Sequence, residues 1–69
     1  MQRQILIDFR GKRSQTEMAK QYGVSQQAWA KWEIGISAPT PDKMKLIATD
    51  IGRPMEEIFH DVFFKIRNH

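Results

Sequence analysis

The chain has no cysteine, which excludes a disulfide framework and a thiolate zinc site. No apolar run approaches the roughly 18 residues that a membrane helix needs, and no signal-like hydrophobic region stands out. A soluble, cytoplasmic protein that makes no membrane contact is therefore expected. Only two histidines are present, His60 and His69, and although His60 adjoins Asp61, no third ligand, nucleophile or phosphate-cradling glycine run accompanies them. The expectation is a non-enzyme with no metal and no cofactor, its histidines simply solvated. Internal repeats and low-complexity segments are also missing.

Sixty-nine residues make one domain at most. A chain this short buries only about 60% of its unfolded surface, so a partner subunit would help it. The net charge of +3 is modest but uneven, because residues 1–45 hold eight Lys/Arg against four Asp/Glu and residues 46–69 hold three against four. A basic amino-terminal part suits a polyanion, and the near-neutral remainder is free for packing or for another subunit.

The first predicted helix covers Gln2 to Arg10, where Ile5, Leu6 and Phe9 share a face and Gly11 supplies a stop. Ile5, Ile7 and Phe9 also alternate as in a strand, and the first few residues fit an extended segment. Ser14 with Glu17 three residues later forms a capping-box pattern, opening a second helix with Met18, Ala19 and Tyr22 inward. Gly23 closes that helix in a left-handed conformation, and Val24 is the expected buried turn residue.

Ser25 caps a third helix in which Ala28, Trp29 and Trp32 face inward and Gln26, Gln27, Ala30 and Lys31 face out. Thr40 and Pro41 open a fourth helix, with Met44, Ile47, Ala48 and Ile51 on one face and Gly52 as its stop. A fifth helix begins after Arg53-Pro54, with Glu56 and Glu57 in its first turn and Met55, Ile58 and Phe59 buried. Beyond it, Val62, Phe64 and Ile66 alternate with Phe63, Lys65 and Arg67, which fits an edge strand, a helical extension or a sticky tail. Domain boundaries of 1–61 and 62–69 follow, the tail being a candidate part of a dimer interface.

Two short helices hinged at Tyr22-Gly23-Val24, the second opening with adjacent glutamines, have the layout of a helix-turn-helix that reads DNA. Glutamine carries a donor and an acceptor and can bind adenine N6 and N7 together. Gln26 and Gln27 are therefore the candidates for base contact. Lys31, one turn along, reaches a guanine edge or a flanking phosphate, and Gln15 at the start of the preceding helix faces a phosphate. The plainer alternative is that the glutamines are solvated polar positions, that Arg13, Lys31, Lys43 and Lys45 are ordinary surface charges, and that both tryptophans are core.

Ser14-Gln15-Thr16-Glu17-Met18-Ala19, Gly23-Val24-Ser25 and Glu33-x-Gly35 resemble the Cro and phage-repressor class of helix-turn-helix regulators, the XRE family. The resemblance extends from about Leu6 to Phe59. It implies an all-α, five-helix domain with the helix-turn-helix at helices 2 and 3, binding double-stranded operator DNA as a homodimer and regulating transcription, usually by repression. Carried over by position, Gln15 matches a phosphate-contacting glutamine, Gln26, Gln27 and Lys31 the main base-facing positions, and Ser25 the residue just before them. Arg10 and Glu33 match a structural ion pair. Phosphate contacts are thus expected from Arg13, Gln15, Ser25 and Lys43.

Two departures matter. Ile34 stands where the family usually has asparagine, and Ile36 and Ser37 occupy positions that are often basic. Lys43 compensates for that loss better than Lys45. The apolar residues Ile34, Ile36, Phe63, Phe64 and Ile66 also motivate a second function class, an antitoxin-like or anti-activator module that holds a protein partner on the same fold.

Overall fold

The computed structural model describes residues 2–67, with side chains as far as Phe64. Six helices and no strand occur among the described residues. They fall into two compact units, Met1–Ser37 and Ala38–His69.

In the first unit, α1 spans Gln4–Arg10, α2 Gln15–Gln21 and α3 Gln26–Ile34. The first helix starts two residues later than its periodicity predicts, because tertiary bonds hold Arg3 outside the helix. The Arg3 backbone N–H donates to the Glu33 carbonyl at 2.8 Å, and its guanidinium donates to the carbonyls of Trp32 and Ser37, each at 2.7 Å. Leu6 is the fully buried residue of α1.

Helix α2 carries a complete capping box. The Ser14 hydroxyl accepts from the Glu17 backbone N–H at 3.0 Å, and the Glu17 carboxylate accepts from the Ser14 N–H at 3.0 Å. Met18, Ala19 and Tyr22 are buried. Gly23 then turns the chain at φ +67°, and a Cβ there would meet nothing within 4 Å. The left-handed backbone, rather than a close approach, is what calls for glycine. Val24 is half-buried where a buried turn residue is expected, and its backbone N–H, bonded to the Ala19 carbonyl at 2.9 Å, closes the turn.

Helix α3 opens on Ser25, whose hydroxyl accepts from the Ala28 N–H at 3.1 Å. Trp29 has no exposed surface. It stacks on Tyr22, ring centroids 5.7 Å apart and 6° from parallel, and meets Trp32 edge-on at 5.7 Å. These rings fill the space under α2 and α3 and leave the opposite face of α3 outside.

In the second unit, α4 spans Pro41–Ile51, α5 Met55–Ile58 and α6 His60–Arg67. Pro41 occupies the first turn, but the Thr40 side chain makes no capping hydrogen bond. Met44, Ile47, Ala48, Ile58 and Phe59 are buried, whereas Leu46 and Phe64 are exposed. The sequence favours five helices and leaves the stretch after them open to an edge strand, a helical extension or a tail; among the described residues the helical form is the one taken, as a sixth helix. Phe59 breaks α5, and the N–H groups of Val62 and Phe63 then bond back to its carbonyl at 2.9 and 3.3 Å. His60 stacks on Phe64, four residues on, at 5.0 Å, whereas a strand would set these two residues on one face but roughly 13 Å apart. Helix α6 runs through position 62, so residues 62–67 continue a helix that begins before them. The Ile66 side chain and His69 lie outside the described residues.

Candidate nucleic-acid interface

Hinging α2 to α3 at Gly23 leaves the first turn of α3 facing away from the tryptophan core. Gln26 is half-buried and Gln27 exposed, and Lys31 is exposed one turn further along. The two glutamines are adjacent at a helix N-terminus, the end that enters the major groove in this architecture.

Behind Gln26 lies a polar network that the fold closes completely. Glu33 is only 4% exposed. Its Oε2 accepts from Arg10 Nε at 2.7 Å and from Trp29 Nε1 at 2.5 Å, and its Oε1 accepts from Gln15 Nε2 at 3.0 Å and Arg10 Nη2 at 3.3 Å. Four donors saturate the four acceptor sites of the carboxylate. Burial by itself would raise the Glu33 pKa, but the hydrogen bonds from Arg10, Gln15 and Trp29, with the Arg10 charge, hold it below the usual carboxylate range. The same bond raises the Arg10 pKa further above its ordinary value. Gln26 Nε2 completes the chain by donating to Gln15 Oε1 at 2.6 Å.

Residues 3–58 match the model of one protein family, described as helix-turn-helix and of the XRE/Cro type. The chain belongs to this family. No curated protein and no solved structure matches it. An XRE/Cro-type helix-turn-helix is a DNA-binding domain typical of regulators that are not enzymes, and in this one the described residues include no helix long and apolar enough to cross a membrane.

The helix-turn-helix brings some of the sequence-selected residues together and separates others. Gln15, Gln26, Arg10 and Glu33 form one connected network, and Ser25 sits beside it as the cap of α3. Arg13 is occupied elsewhere: its guanidinium donates to the carbonyls of Phe9 at 2.6 Å and Arg10 at 3.2 Å and to Gln21 Oε1 at 3.2 Å, and lies 5.1 Å over the Phe9 ring. It closes the carboxy-terminal end of α1, where unpaired carbonyls and the helix dipole favour a cation. Lys43 is half-buried in the first turn of α4, in the other unit.

Two features escaped sequence reasoning. Arg3 is 5% exposed and binds the carbonyls of Trp32, in the last turn of α3, and of Ser37, in the segment after it, a role with no local signature. The indole N–H of Trp29 is part of the polar network, and its i, i+4 spacing from Glu33 was the signal available.

Proposed function

We propose that this chain is a sequence-specific regulator of transcription, a repressor that binds operator DNA as a homodimer with α3 in the major groove. The observation that carries this reading is the pair Gln26 and Gln27 on the outer face of α3, backed by a saturated network. Base contacts are assigned to Gln26, Gln27 and Lys31. Phosphate contacts are assigned to Ser25, to Lys43 and to Gln15, which keeps one amide N–H beyond the one given to Glu33. Arg13 contributes through its charge, its N–H groups being largely spent on α1.

Selection from a random duplex library should yield a palindromic site, as two copies related by a twofold axis require. On that site, Gln26→Ala and Gln27→Ala should each relax preference at one or two base pairs by about 1–3 kcal/mol. Equal losses on the selected site and on random DNA would defeat base reading. The exposed Phe64 supports an intersubunit role for α6; if so, Phe64→Glu lowers the mass observed by sedimentation equilibrium, and an unchanged dimer removes this face from the interface.

A second reading rests on Ile34 and Ile36, 49% and 67% exposed around the turn that ends α3. Such a pair favours an antitoxin-like or anti-activator module that holds a protein partner. A salt titration separates the two functions, because affinity for duplex DNA that falls steeply with salt reports released counterions. Indifference to duplex DNA at low salt would leave only the protein-binding module.

A further inference from the structure

The outer stripe of α3 is not wholly polar. Gln27, Lys31 and Ile34 stand at i, i+4 and i+7, a spacing that sets them above one another on one side of a helix, and all three are exposed. The other side is taken by Trp29, Trp32 and Glu33, which are buried. Ile34 keeps 49% of its surface in solvent and is the one large apolar side chain on the outer stripe.

The last turn of α3 is held from two directions. The N–H groups of Gly35 and Ile36 both donate to the Lys31 carbonyl, at 2.9 and 3.2 Å, and close the helix. Arg3 donates from its backbone to the Glu33 carbonyl at 2.8 Å, and from its guanidinium to the carbonyls of Trp32 and Ser37, each at 2.7 Å. Ile34 is therefore presented in one place, and little ordering remains when a ligand covers it.

A duplex that covers Gln27 and Lys31 also covers Ile34. What the side chain meets there decides whether its burial helps, because against a phosphate it would strip water from a charge and return no hydrogen bond. Against carbon it gains. On the base edges of the major groove the apolar group is the C5-methyl of thymine. Seven residues separate Ile34 from Gln27, a rise of about 10 Å along the helix, which matches about three base-pair steps. Nothing on α3 repels the duplex, since its one acid, Glu33, is buried and paired with Arg10.

We propose that Ile34 reads a thymine methyl about three base pairs from the pair read by Gln27, extending sequence recognition to the far end of α3 by an apolar contact. The proposal rests on the reading of α3 as the helix in the groove. It takes Ile34 away from the protein-binding surface of the second reading.

Uracil keeps every hydrogen-bonding group of thymine and lacks only the methyl. The full chain is bound to the duplex it selects, and to copies in which each thymine of a half-site is replaced in turn by deoxyuridine. In wild type one replacement, about three base pairs from the pair whose preference disappears in Gln27→Ala, should weaken binding about three- to fivefold. Ile34→Ala should bind the intact duplex about three- to tenfold more weakly, and the same replacement should then add less than about 1.5-fold. Ile34→Val keeps a branched apolar end and should retain most of the sensitivity. The slope of log affinity against log salt should be equal in wild type and Ile34→Ala, because no phosphate contact is lost. Urea unfolding checks that Ile34→Ala is folded, and the deoxyuridine series on wild type needs no variant.

A selected site without an A·T pair at that step overturns the proposal, as does wild-type binding that is indifferent to every methyl. Deoxyuridine losses that are alike in wild type and Ile34→Ala overturn it too, while base reading still stands on Gln27→Ala. An Ile34→Ala variant that binds the intact duplex as wild type does overturns it and returns Ile34 to a protein partner. If Gln27→Ala relaxes no base pair, α3 is not the reader and the proposal falls with that reading.

Discussion

The two units of the chain are built on different terms. Met1–Ser37 holds six Lys/Arg against three Asp/Glu and Ala38–His69 holds five against five, so the whole net charge of +3 belongs to the first. The two described residues that bury charge, Arg3 and Glu33, are also in the first unit, while the described residues buried in the second are Pro39, Met44, Ile47, Ala48, Ile58 and Phe59. Apolar packing tolerates exchange of shapes at similar volume. A saturated polar network tolerates no such exchange, because each donor must meet its acceptor in one geometry. The unit that carries the glutamines is thus specified by direction as well as by volume, and the other by volume.

Deleting the key side chain of each unit tests that contrast at its largest. Phe59→Ala should cost about 3–5 kcal/mol in urea unfolding, through lost burial and a residual cavity. Glu33→Ala should cost about 3 kcal/mol, the low end for a broken buried pair, since the Arg10 side chain keeps 24% exposure. Against a total of roughly 5–15 kcal/mol for a folded domain, either loss leaves a 69-residue chain near its unfolding threshold. If Glu33→Ala cost under about 1 kcal/mol, the network would rank with solvated pairs and the contrast would collapse.

Acid distinguishes the two units next. The folded-state pKa of Glu33 is lowered by its hydrogen bonds despite burial, so its contribution is present above the ordinary value of 4.5 and is lost as pH falls through the lowered one. Glu17, lowered by its bonds to Ser14, and Glu57, lowered by its bond to Arg53, shift the same way, but both stand in solvent where such contributions are small. Unfolding free energy measured from pH 7 down to about pH 3 should therefore fall in wild type and fall less in Glu33→Gln. Equal acid slopes would show that another carboxylate governs the loss.

Legibility in the sequence followed the range of each interaction. The capping box of Ser14 and Glu17, the turn at Gly23 and the cap at Ser25 are short-range devices, and each stands where its spacing places it. The Arg10 and Glu33 positions came only from the family resemblance, because no local pattern links residues 23 apart. Arg3 was illegible for a stronger reason: its acceptors are main-chain carbonyls 29 and 34 residues away, which every residue type carries. Alternation at Val62, Phe64 and Ile66 left strand, helical extension and tail open, and the helix is the one that forms, with His60 and Phe64 in ring contact at helical spacing. Within the network, residue types showed which groups could bond, and only the fold shows that Gln15 joins Glu33 to Gln26.

The smallest test concerns how helices begin. In the first unit, α1 begins at Arg3 without a side-chain cap, but Ser14 and Ser25, ahead of α2 and α3, each accept a backbone N–H three residues on, at 3.0 and 3.1 Å. In the second, Thr40 and Pro54 begin α4 and α5 with no side-chain cap. Replacing a bonded cap by alanine removes an acceptor that nothing but water replaces, so Ser14→Ala and Ser25→Ala should each cost about 1 kcal/mol by urea unfolding. Thr40→Ala removes no such bond and should stay within about 0.5 kcal/mol of wild type. Ser25→Ala adds a second reading, since its loss frays the turn that presents Gln26 and should weaken binding to the selected duplex more than Ser14→Ala does. A Thr40→Ala cost equal to that of the serines would mean that side-chain capping does not separate the two units, and that their difference lies in the buried network alone.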